Sequence, residues 1–185
     1  MNDRYEVRLA GVGGQGLQLA GLILAEAAAI FANKNAVQSQ SYGAEARGGP
    51  SVSEVILGEG DIDYPKVSEP DLLLVLSQDA ADRYVPGVRK DGLIIADAQH
   101  VERLHSERRV LRLPITETAK EATGRPVASI VALGVIAVVT GIIPRDAIRQ
   151  AVLSRAPKGT EEMNTKALEA GFALGESALA SAGKK

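Results

Sequence analysis

A chain of 185 residues, 45% hydrophobic and 24% charged, is long enough to bury one sizeable core. A formal net charge of −2 and only 3% aromatic residues set aside nucleic-acid and membrane-surface roles, because neither phosphates nor anionic lipids are attracted and no stacking platform is offered. No cysteine is present, which excludes a disulfide framework, a thiol nucleophile, a thiolate zinc site or a cysteine-held iron–sulfur cluster in this chain, and fits a reducing, cytoplasmic setting.

The chain opens MNDRYEVRLAG, an acidic start that runs into a strand and does not read as a secretory signal. Tyr5 to Ala10 alternates, enters the glycine turn GVGGQG, and gives way to an alanine- and leucine-rich helix that stops at Asn33. Ala36 to Gln40 and Pro50 to Leu57 are strand candidates separated by too few residues for a crossover helix, so they are expected to be antiparallel neighbours. Asp71 to Leu76 and Gly92 to Ala96 are short apolar runs of the kind that form doubly covered parallel strands, and Arg109 to Leu113 is a shorter strand. A short helix over Gln78 to Arg83 and a turn at Pro86–Gly87 separate the first two.

Helices are expected at Ile115 to Ala122, Val127 to Thr140, Pro144 to Leu153, and from Thr160 onward, where Glu161 and Glu162 suit the helix dipole. Between Pro126 and Pro144 the chain is uncharged and near the lower length for a membrane span. Its position within the chain and its two glycines favour a buried helix packed on a sheet or a partner subunit. The last helix carries a narrow stripe through Met163, Ala167, Ala170, Leu174 and Ala178, suited to close docking. These elements describe one α/β domain over residues 1–185: a Rossmann-like three-layer α/β/α fold with a mixed, mainly parallel sheet.

The turn Gly11-Val12-Gly13-Gly14-Gln15-Gly16 fits G-x-G-x-x-G between a strand and a helix. Its glycines permit a tight turn and close approach of backbone or ligand, and amides at the helix start can hold an anion. No acid or arginine ends the second strand at Val37-Gln38-Ser39-Gln40 to hold a ribose, and Leu17-Gln18 stands where a Walker motif has Lys-Ser/Thr. Three readings stay open: strand–helix packing alone, a standard NAD site, or contact with another anionic group or a partner's loop.

The second motif is Ser41-Tyr42-Gly43-Ala44-Glu45-Ala46-Arg47-Gly48-Gly49-Pro50. Glu45 and Arg47 can pair with each other, and an arginine among glycines can present its fork to a carboxylate or phosphate. A solvated surface hairpin and a docking or ligand-facing loop are the two readings. Taken in order, the two motifs resemble those of the gamma subunit, domain III of the fused enzymes, of the 2-oxoacid:ferredoxin oxidoreductases. The similarity continues through Val52-Ser53-Glu54-Val55, DLLLVLSQDA, and Pro157-Lys158-Gly159 with Glu162 and Asn164.

That resemblance implies a subunit of an enzyme that oxidatively decarboxylates a 2-oxoacid to an acyl-CoA and passes electrons to ferredoxin. Thiamine diphosphate with its Mg, and the iron–sulfur clusters, are then expected in alpha and beta partner subunits or a ferredoxin-like delta subunit. The sequence here independently lacks cluster cysteines and a Gly-Asp-Gly…Asn magnesium–diphosphate pattern. No catalytic residue or metal is expected in this chain. The ligand- or subunit-facing surface is expected to comprise Gly11, Gly13, Gly14, Gln15, Gly16, Tyr42, Gly43, Glu45, Arg47, Gly48 and Gly49; coenzyme A is the co-substrate, and a coenzyme A phosphate and a partner carboxylate stay open as the group that Arg47 meets. PKGTEEMN resembles the 2-oxoglutarate type slightly more than the pyruvate type, branched-chain 2-oxoacids being the further substrate class. Apolar surface meant for partners would favour a homodimer in isolation. The competing functions are a stand-alone nucleotide-binding module and a purely structural scaffold of the same complex.

Other polar residues are read as bland. His100 and His105 sit in a polar stretch without further ligands, and Asp61 and Asp63 read as a polar loop. Asp97, after a buried strand, is a weak candidate for the crevice where α/β sheets bind ligands. Ser53 and Ser129 lack a histidine placed to activate them.

Overall fold

The computed structural model describes residues 4–42 and 49–182, Tyr42 by its backbone alone. Alternation of inward apolar and outward polar side chains builds β1 (Arg4–Val12), while β3 (Pro50–Gly58), buried on both faces along most of its length, and β4 (Leu72–Val75), with four continuously buried residues, are covered on both sides. With β2 (Asn35–Tyr42), β5 (Leu93–Asp97) and β6 (Arg109–Leu113) they form one six-stranded sheet in the order β2-β3-β1-β4-β5-β6. β1, β4, β5 and β6 pair in parallel, whereas β3 runs antiparallel to both β1 and β2. The mixed, mainly parallel sheet and the antiparallel second and third strands agree with the sequence pattern.

The two faces are covered unequally. Val7, Leu9, Val55, Leu57, Leu72, Leu74 and Ile95 point into the larger core. That core is closed by α1 (Leu17–Glu26), α3 (Ile115–Thr123), α4 (Ala128–Thr140), α5 (Arg145–Arg155) and α6 (Glu161–Ala182). Ala10, Leu73, Val75, Ile94 and Ala96 face a smaller core under α2 (Gln78–Tyr84) and Val101.

α1 continues into a π-turn at Ala27–Phe31. Asn33 then adopts a left-handed φ of 51°, the helix stop expected there. The uncharged segment folds as α4, buried from Ala128 to Ala137, and no single helix among the described residues is long and apolar enough to cross a membrane. Its partner is α6, whose buried stripe is Asn164, Ala167, Leu168, Gly171, Phe172, Gly175 and Ala178. This is rotated from the expected stripe: Met163, Ala170 and Leu174 are half-buried, and glycines make the contact.

Candidate functional site

The two glycine motifs, about thirty positions apart in sequence, meet at one edge of the sheet. Antiparallel pairing sets Gly11 opposite Ser51 and Val12 opposite Pro50, and β2 brings Tyr42 level with Ser51. A further bond runs from the Gly13 amide to the Gly49 carbonyl at 2.8 Å. The end of β1 is thereby tied to the point where the second motif re-enters β3. Gly43, Glu45, Arg47 and Gly48 lie in 43–48, outside the described residues, as does the expected Glu45–Arg47 pair.

Within the first motif the glycines differ in role. Gly14 and Gly16 hold φ of 93° and 76°, which the left-handed region reserves largely for glycine. A Cβ on Gly14 would meet nothing, whereas one on Gly16 would lie 2.6 Å from Ser129 Oγ at the start of α4. Gly13, Gly14 and Gly16 are exposed. Gly11 is buried because the Gln15 side chain folds over it, and a Cβ there would come within 2.1 Å of Gln15 Oε1.

Gln15 turns its polar atoms inward, away from the outward-facing part expected for it. Its Oε1 accepts from the Val12 amide at 2.8 Å and its Nε2 donates to the Leu76 carbonyl at 2.9 Å. That carboxamide clamps the ends of β1 and β4 together. Among the described residues the α1 N-terminus above it has no side-chain cap, and its first turn holds no acidic residue, so its partial positive charge is not neutralised locally by them.

Behind this turn lies a polar seam that the sequence reading did not single out. Gln18 Nε2 donates to Ser51 Oγ at 3.1 Å and to the Val52 carbonyl at 3.0 Å. Gln38 Nε2 donates to the Gln18 carbonyl at 3.0 Å and to Ser53 Oγ at 2.9 Å. The one available signal was the pair of polar residues, Gln38 and Ser53, on strand faces that otherwise turn to the core.

Two strands along, Asp97 ends β5 fully buried. It accepts from the Thr116 amide at 3.2 Å and the Thr116 hydroxyl at 2.7 Å, and it pairs with His100 Nδ1 at 2.6 Å. The residue proposed from sequence as a crevice carboxylate thus caps the start of α3, which has no side-chain cap of its own. His100, read as bland, is its partner, held with 41% of its side chain exposed. Among the described residues no cluster of three or more His, Cys, Asp or Glu is placed to hold a metal.

At the opposite end of the sheet a polar cavity of about 450 Å³ is lined by Arg4, Glu6, Asp71 and Arg89 among others. Most of its charges are paired: Arg89 with Asp71 and, at 2.7 Å, with Asp91, and Arg4 with Glu6 at 2.7 Å.

A glycine turn at the carboxyl end of β1, parallel strands beyond it and helix N-termini along that edge define a Rossmann-like α/β protein. Antiparallel β3 occupies the place beside β1 from which dinucleotide-binding folds supply their ribose-binding acid. The family model for pyruvate ferredoxin/flavodoxin oxidoreductase matches residues 6–174, and the chain belongs to that family. The 2-oxoglutarate synthase subunit KorC of Methanocaldococcus jannaschii is 44% identical over 91% of this chain and 92% of its own length. From the same organism, the pyruvate synthase subunit PorC is 29% identical over 90% and 94%. The solved gamma subunit of a keto/oxoacid ferredoxin oxidoreductase from Geobacter sulfurreducens superposes with a TM-score of 0.87 at 44% identity, covering 95% of this chain and 98% of that one.

Proposed function

We propose that this chain is the gamma-type subunit of a cytoplasmic 2-oxoglutarate:ferredoxin oxidoreductase, and that it presents the joined glycine turn and Tyr42–Gly49 loop to coenzyme A. One observation carries the choice of substrate. Within a single organism, identity is 44% to the 2-oxoglutarate synthase subunit and 29% to the pyruvate synthase subunit, over matching lengths. The chain has no cysteine with which to hold a cluster and no Gly-Asp-Gly…Asn pattern for magnesium–diphosphate, and on that ground we assign iron–sulfur clusters and thiamine diphosphate to alpha and beta partners, with a ferredoxin-like delta subunit where present. The anionic end of coenzyme A suits the α1 N-terminus, which has no side-chain cap among the described residues, and the planar fork of an arginine such as Arg47.

The test is reconstitution of the purified chain with its partner subunits, followed by 2-oxoacid-dependent dye reduction. Activity should need this chain, coenzyme A and 2-oxoglutarate in preference to pyruvate, and Arg47→Ala should raise the KM for coenzyme A. Turnover with pyruvate but not 2-oxoglutarate would overturn the substrate. An Arg47→Ala enzyme with unchanged assembly and coenzyme A dependence would overturn the loop's role.

A further inference from the structure

Gln18 stands on the first turn of α1, and its bonds reach both strands that lead into and out of the second motif. Its Nε2 holds Ser51 and Val52 on β3, and its carbonyl holds Gln38 on β2. One turn further along α1, Gly21 admits this arrangement. A Cβ there would lie 2.0 Å from Ser53 Oγ and 3.0 Å from Gln38 Nε2.

The seam is polar on the side of the sheet that faces the larger apolar core, and it is not fully satisfied. Among the described residues, Gln18 Oε1 is buried without a hydrogen-bond partner. A buried acceptor left unpaired is unfavourable, so packing alone would favour methionine or leucine at this position. What position 18 gains from the amide is its donor, which fixes the exit stem, while the helix backbone fixes the entry stem.

We propose that Gln18 is a positioning residue that couples the two glycine motifs. It sets β2 and the start of β3, the described strands on either side of the second motif, against the helix whose N-terminus is the first motif, and so fixes the edge that is read as meeting coenzyme A. This rests on the reading that the surface meets coenzyme A. The bond from the Gly13 amide to the Gly49 carbonyl is the local reporter of the coupling.

The test replaces the donor while keeping the volume. In the full-length Gln18→Met chain, amide exchange at Gly13 should accelerate about tenfold, the factor expected for loss of one net hydrogen bond, while exchange at Val7 and Leu9 stays as in wild type. A merely structural role would lower the melting temperature without this local selectivity. In the reconstituted enzyme the same variant should raise the KM for coenzyme A about tenfold and leave the KM for the 2-oxoacid in place. Gln38→Met, which releases the entry stem, should move both readouts in the same direction and serves where Gln18→Met folds poorly.

Unchanged Gly13 exchange in these variants overturns the coupling. Faster exchange with an unchanged KM for coenzyme A overturns its bearing on the reaction. An effect of Arg47→Ala on that KM without one from Gln18→Met sinks the Gln18 role alone. A silent Arg47→Ala removes the underlying reading, and Gly13 exchange then still decides the coupling.

Discussion

Gly134 of α4 and Gly171 of α6 face each other with no side chain between them. A Cβ on Gly171 would stand 2.2 Å from the Val131 carbonyl oxygen, and one on Gly134 would stand 2.6 Å from the Leu168 carbonyl oxygen. Both obstacles are backbone, so neither can rotate away. Alanine in an isolated helix is favoured over glycine by about 1 kcal/mol, yet here the added methyl must push two buried helices apart. Overpacking of this kind costs about 1–3 kcal/mol beyond any such gain. Gly171→Ala and Gly134→Ala should each melt several degrees below wild type, by roughly 2–4 °C per kcal/mol for a chain of this size. An unchanged melting temperature for either would show that the helices do not approach this closely.

The buried cap at Asp97 gives a graded expectation. Asp97→Ala leaves the buried Thr116 amide and hydroxyl without their acceptor and strips α3 of its cap, for a loss of about 2–3 kcal/mol in urea denaturation. Asp97→Asn, which keeps one oxygen, should lose less. His100→Ala should lose least, since much of its side chain is already in water. A His100→Ala penalty equal to that of Asp97→Ala would point to a histidine role larger than that of a lid on the cap.

Most of the architecture was legible because strand and helix periods differ and glycine or proline punctuates most of the joins. The short spacing between β2 and β3 was enough to demand antiparallel pairing. What stayed hidden were the relations made by side chains across long separations. His100 lies three residues from Asp97, but its role depends on Thr116 arriving on another element. The rotated stripe of α6 could not be foreseen, because small residues occur all round that helix and only α4 decides which of them are buried. Gln15 looked outward-facing because motif logic assigns such turns to ligands, whereas the open carbonyl of Leu76 draws its amide inward. The glycine motifs themselves were legible as a pair, and their union at one edge follows from β3 lying beside β1.

Gly11 and Gln15 should be coupled. Gly11→Ala places a methyl where Gln15 Oε1 sits, and the flexible carboxamide will swing aside, abandoning the Val12 amide and the Leu76 carbonyl. Each lost bond is worth about 1 kcal/mol. Gln15→Ala loses the same two bonds by deletion, so the double variant should be scarcely less stable than either single one. A double-mutant cycle by chemical denaturation measures this directly. Strict additivity would mean that the two residues do not share these bonds.

Tyr5 supplies an alkaline limit to stability. Burial pushes its phenol from 10.0 up to about 12, with the Asp71 carboxylate acting in the same direction and Arg89 against it. Below about pH 10 the proton is held in both folded and unfolded chains, and the shift has no effect on stability. Between about pH 10 and about pH 12 the unfolded chain releases this proton first, so it binds fewer protons than the folded one and stability falls as pH rises. Urea midpoints at about pH 9 and about pH 11 should therefore differ more for wild type than for Tyr5→Phe, which has no phenol to ionise. The ultraviolet titration of the folded wild type minus that of Tyr5→Phe should give a single phenolate step centred near 12. A step near 10 would place the Tyr5 hydroxyl in water.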